Sequence, residues 1–76
     1  MNVRKISEKI MELGYYDNVQ FQKVYKGLSI IIPNLKYEAN ILTYLDEIMR
    51  PYKLNLRRFW YNEYNRTLYL LYSKFK

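Results

Sequence analysis

Two segments of this chain alternate apolar and polar residues with period two, VQFQKVYKGLSIIIP at 19–33 and KLNLRRFWYNEYNRTLYLLYSK at 53–74. Each follows a stretch whose apolar residues recur at helical spacing. That order restricts the chain to an α-β-β-α-β-β succession in which each helix must bury a stripe and each hairpin a face. The arrangement that satisfies all four is an α+β two-layer sandwich: a four-stranded antiparallel sheet with two helices on one face. Its topology corresponds to a circularly permuted ferredoxin-like arrangement. With 76 residues the chain forms a single domain, 1–76. A domain of this length buries only about 60 to 65% of the surface its unfolded chain exposes, so a homo-oligomer is expected.

In NVRKISEKIMELG, Val3, Ile6, Ile10 and Leu13 share one helical face, with Asn2 as N-cap and Gly14 as the C-terminal stop. Arg4 and Glu8, four apart, mark the opposite face as solvated. The first hairpin is expected to turn at Lys26-Gly27, since glycine tolerates positive φ. That turn pairs Tyr25 with Leu28, Lys23 with Ile30 and Phe21 with Ile32. It sets Val19, Phe21, Tyr25, Leu28, Ile30 and Ile32 on the core face. Asn34 is expected to cap a second helix through Met49 with Leu35, Ala39, Leu42, Leu45 and Met49 as its stripe, flanked by Tyr37, Ile41, Tyr44 and Ile48. Pro51 ends it, because the residue before a proline avoids the α conformation.

The second hairpin carries the functional reading. Residues 57–72, RRFWYNEYNRTLYLLY, hold six aromatics and three arginines. A three-residue loop of Tyr64, Asn65 and Arg66 places Trp60 opposite Leu70 and Tyr61 opposite Tyr69. Leu54, Leu56, Trp60, Leu68, Leu70 and Tyr72 then line the core, and Arg57, Phe59, Tyr61, Tyr69 and Leu71 the other face. A two-residue Asn65-Arg66 turn instead pairs Trp60 with Leu71. A slip of one residue inverts every side chain.

Charge concentrates in the same place. The net charge is +6, yet residues 1–49 balance six basic against six acidic side chains, whereas residues 50–76 carry seven basic side chains and only Glu63. Eight of the fourteen aromatics lie in that last third. Asn, Lys, Tyr and Ile supply 32 residues, all from A/T-rich codons, which suits a low-GC bacterium, a phage or an archaeal virus.

Little supports catalysis. Histidine and cysteine are absent, removing the usual neutral-pH acid-base group, disulfides and thiolate metal sites. Asp46 and Glu47 are helix neighbours about 100° apart without further ligands for a divalent cation. Ser7, Ser29 and Ser73 have no base at a recognisable spacing, and there is no glycine-rich phosphate loop. The expectation is no enzyme, no metal, no cofactor and no membrane span, in the cytoplasm, or the host cytoplasm for a viral chain.

Nucleic acid is the ligand these residue types fit. Bases stack on aromatic rings and phosphates meet Lys and Arg. The sequence therefore predicts a small basic nucleic-acid-binding module for single-stranded DNA or RNA, using Arg57, Arg58, Phe59, Tyr61, Arg66, Tyr69 and Lys74, with Lys53 and Lys76 tracking the backbone. The surface is similar in kind, not in sequence, to sheet-face RNA-binding modules. The alternative is a phage- or virus-type protein-protein interaction module, a homodimer or an inhibitor of a host protein, since tyrosine, tryptophan and arginine are also enriched in protein interfaces.

Overall fold

The computed structural model describes residues 3–12, 19–35 and 40–74. Helix α1 spans Val3–Glu12, strands β1 and β2 Gln20–Val24 and Gly27–Ile32, helix α2 Asn40–Met49, and strands β3 and β4 Leu54–Asn62 and Thr67–Lys74. The sheet runs β1-β2-β4-β3 and is antiparallel throughout. Moving the first strand of a ferredoxin-like sheet to the end of the chain produces this order. Both helices contribute to one core on one side of the sheet: Ile6 and Ile10 from α1, Ile41, Leu45 and Met49 from α2, against Leu28, Ile30, Ile32, Leu68, Leu70 and Tyr72. The other face of the sheet has no layer over it among the described residues.

Helix α1 turns Ile6 and Ile10 inward, four residues apart, while Arg4 and Glu8 form an exposed ion pair at 3.5 Å on its outer side. Helix α2 ends at Met49, where Arg50-Pro51-Tyr52 tighten into a short 3-10 turn. Lys53 then takes a left-handed conformation and donates its N–H to the Arg50 carbonyl at 3.0 Å, aiming the chain into β3. Asn34 has a φ of 55° in a bend, and the residues an Asn34 cap would bond, 36 and 37, lie outside the described residues. The following Leu35 N–H donates to the Arg66 carbonyl at 2.7 Å, which ties this bend to the far hairpin. Asn2, Leu13, Gly14, Tyr37, Ala39 and Lys76 lie outside the described residues.

Tyr72 is fully buried on the core face, and its hydroxyl donates to Asp46 on α2 at 3.3 Å. Burial first, and the adjacent Asp46 carboxylate second, raise this phenol far above the ordinary tyrosine range.

The first hairpin differs from expectation by two residues. Its turn is Tyr25-Lys26, with Lys26 at φ 53°, and the register pairs Lys23 with Leu28 and Phe21 with Ile30. Tyr25 is thus a turn residue, 86% exposed, and not part of the core. Because side chains alternate with period two, the slip leaves the faces of β1 and β2 otherwise unchanged. Gly27 opens β2 and is needed for close approach: a Cβ there would sit 2.1 Å from the Tyr72 carbonyl oxygen.

Candidate functional site

The second hairpin differs by one residue, which reverses the aromatic assignment. Its loop is four residues, Glu63 to Arg66, and pairs Tyr61 with Leu68 and Trp60 with Tyr69. Asn62 holds the loop: its side-chain oxygen accepts the Tyr64 N–H at 2.9 Å and the Asn65 N–H at 3.4 Å. Asn65 repeats the device by accepting the Thr67 N–H at 3.1 Å, and Arg66 closes the loop at φ 54°. Asparagine side chains mimic backbone turns in this way and tolerate left-handed neighbours. Further along, Leu56 pairs with Tyr72 but Arg58 pairs with Leu71. Arg57 is therefore the extra residue of a β-bulge, and the bulge resets the parity of the strand.

Trp60 consequently stands on the open face, 60% exposed, with its ring stacked on Tyr69 at a centroid distance of 5.3 Å and an interplanar angle of 21°. The bulge sends two consecutive arginines to the same face. Arg58 lies across from Leu71, and the Arg57 Nε donates to the Ser73 hydroxyl at 2.7 Å. The ladder fixes two cross-sheet rows on this face: Gln22, Ser29, Leu71 and Arg58 in one, Gln20, Ile31, Tyr69 and Trp60 in the next. An open groove of about 810 Å³ runs over the first row and reaches Tyr69 and Trp60 of the second, walled by Gln22 and Val24 on one side and by Arg57, Arg58 and Trp60 on the other.

Of the residues expected to act together, the structure gathers Arg57, Arg58 and Tyr69 and adds Trp60 to them. Phe59 also lines the groove, although it pairs with buried Leu70 on an edge strand, where it is 50% exposed. Tyr61 faces the helices; it packs against the core, and its hydroxyl donates to the Leu35 carbonyl. Arg66 sits in the loop at the far end of the hairpin, where its carbonyl holds Leu35. Lys74 pairs with Leu54 at the opposite end of the sheet, its N–H donating to the Lys26 carbonyl at 2.8 Å. Neither of these two cations lines the groove. Of the polar and aromatic groove residues, Gln22, Ser29 and Trp60 are those that sequence reasoning left out of the site. The Asn62 and Asn65 spacing around the loop was the available signal for Trp60.

Electrostatically the two layers differ. Among the described residues, Glu8, Glu12, Asp46 and Glu47 all lie on the helices and Glu63 in the distal loop, so the open sheet face carries two arginines and no carboxylate. Such a face attracts anions. Among the described residues no three acidic side chains gather where a metal ion could bind, and no helix is long and apolar enough to cross a membrane. No family model, curated protein or solved structure matches this chain.

Proposed function

We propose that the protein binds single-stranded nucleic acid, DNA or RNA, on the open face of its sheet, by stacking and charge without bond chemistry. The observation that carries this reading is the co-location on one uncovered face of an exposed, Tyr69-backed Trp60 and the Arg57-Arg58 pair, with no carboxylate on that face among the described residues. A base stacked on an aromatic platform contributes on the order of 1 to 3 kcal/mol. Each cation that meets a phosphate releases counterions and adds salt dependence. Tyr69 holds the indole upright and limits the rotamer freedom it would lose on binding. The place of action in this reading is the cytoplasm, or the host cytoplasm for a viral chain.

Fluorescence anisotropy of a labelled oligonucleotide tests this directly. Binding that weakens as salt rises supports it, and a flat titration at about 50 mM salt removes it. A second reading, a homodimer or another protein covering the same face, draws on the apolar strip of Val24, Ile31 and Leu71 in that face. Light scattering of the protein alone distinguishes the two: a dimer lost on Leu71→Arg, with no oligonucleotide binding by the parent protein, favours the protein partner.

A further inference from the structure

The groove is asymmetric in a way that orients a nucleotide and selects its base. One wall, on β3, is cationic through Arg57 and Arg58; the other, on β1, is neutral and carries the Gln22 side-chain amide, with Ser29 and Leu71 forming the floor between them. Gln22, Ser29, Leu71 and Arg58 occupy a single cross-sheet row, so the amide and the guanidinium face each other across three strand spacings, roughly 14 Å at about 4.8 Å each. That separation suits a nucleotide lying crosswise between two long side chains, phosphate at one wall and base edge at the other. The opposite orientation would put a phosphate against a neutral amide and leave the arginines against a base.

We infer that Gln22 is a specificity-determining residue which reads the base edge of the nucleotide whose phosphate is held at Arg58, and that it favours adenine over guanine. The inference rests on the nucleic-acid reading of this same face. The chemistry is donor-acceptor matching. A glutamine side chain offers one N–H donor beside one carbonyl acceptor, which complements the N6 amino group and N7 of adenine, whereas the corresponding edge of guanine shows two acceptors. Leu71 gives the base an apolar floor, and Ser29 can donate or accept at the sugar or the base. Gln22 is exposed on an edge strand, so its side chain can be exchanged without disturbing the core.

The test uses the full chain and a short oligothymidylate carrying one central A, G or C. The wild-type protein is expected to bind the adenine-containing strand about fivefold or more tightly than the guanine-containing one, the low end for an amide-base pair. Gln22→Leu is expected to reduce that ratio below about twofold while leaving the slope of log K against log salt unchanged, because the phosphate contacts remain. A wild-type protein that binds all three strands equally, or a Gln22→Leu protein that keeps the adenine preference, overturns the inference while the nucleic-acid reading stands. A wild-type protein that binds none of them overturns both.

Discussion

Replacing Gly27 by alanine sets two opposed effects against each other, and the structure decides between them. Where the backbone accepts it, Gly→Ala stabilises a protein by about 0.4 to 1 kcal/mol by restricting the unfolded chain. At Gly27 the added methyl would lie 2.1 Å from the Tyr72 carbonyl oxygen and 3.0 Å from the Ser73 Cα. Both obstacles are backbone atoms of the neighbouring central strand and cannot rotate aside. Relief requires β2 and β4 to part by roughly 1 Å at this end, and overpacking of this kind costs about 1 to 3 kcal/mol, occasionally more. The Lys74 N–H to Lys26 carbonyl bond of 2.8 Å lies beside the contact and would be strained with it. At about 0.05 to 0.15 kcal/mol per residue the whole domain holds roughly 4 to 11 kcal/mol of stability. A net loss of about 2 kcal/mol therefore lowers Tm by about 8 to 16 °C. Thermal denaturation followed by circular dichroism measures this, with Ser29→Ala on the same strand as control. A Gly27→Ala protein that melts at or above the wild-type temperature would refute the close approach of β2 and β4.

Arg58→Ala is expected to reduce the magnitude of the salt slope for single-stranded oligonucleotides by about 0.7, one phosphate contact, whereas Arg66→Ala in the distal loop leaves it unchanged. Trp60→Ala is expected to weaken oligonucleotide binding by roughly five- to 150-fold, the range of one lost base stack, in the same anisotropy assay. Tyr61→Phe removes the hydrogen bond to the Leu35 carbonyl and is expected to cost about 0.5 to 1.5 kcal/mol in denaturant unfolding while oligonucleotide affinity stays at the wild-type level. Tyr72 gives an alkaline limit: its folded-state pKa is raised above the unfolded value, so its contribution is complete below about pH 10 and is lost as pH climbs toward the folded value. Urea unfolding above about pH 10 should lose up to about 1.4 kcal/mol per pH unit through this group, and Tyr72→Phe should remove that part of the slope.

The contrast between the two hairpins accounts for what the sequence discloses. Period-two patterning fixes which residues share a face within one strand, so a turn misplaced by one residue, at Tyr25-Lys26 instead of Lys26-Gly27, shifts the pairing by two and still leaves Leu28, Ile30 and Ile32 buried. In the second hairpin, extending the loop from three residues to four exchanges Trp60 for Phe59 and Tyr61 on the open face. The bulge at Arg57 then restores Leu54 and Leu56 to the core side, where the alternation of KLNL had put them. Both strand halves thus read correctly near β3's start and wrongly near its loop. The pattern was ambiguous because Phe59, Trp60 and Tyr61 are three consecutive aromatics that suit a core equally well. Only side-chain-to-backbone bonding at Asn62 and Asn65 distinguishes the registers. The Leu35 N–H to Arg66 carbonyl bond joins segments far apart in sequence, so no local pattern announces it. Charge segregation was visible directly, since among the described residues every acidic residue but Glu63 falls on a helix and the arginine pair on a strand.

Trp60 is the sole tryptophan of the chain and stands in the proposed site, so its own emission reports on the central claim. Titrating the unlabelled protein with a single-stranded oligonucleotide at about 50 mM salt should quench that emission saturably, and raising salt to about 200 mM should weaken binding roughly sevenfold for two phosphate contacts. Binding that saturates in anisotropy while the emission of Trp60 stays unchanged, or no binding at the lower salt, would contradict an open sheet face built to stack bases.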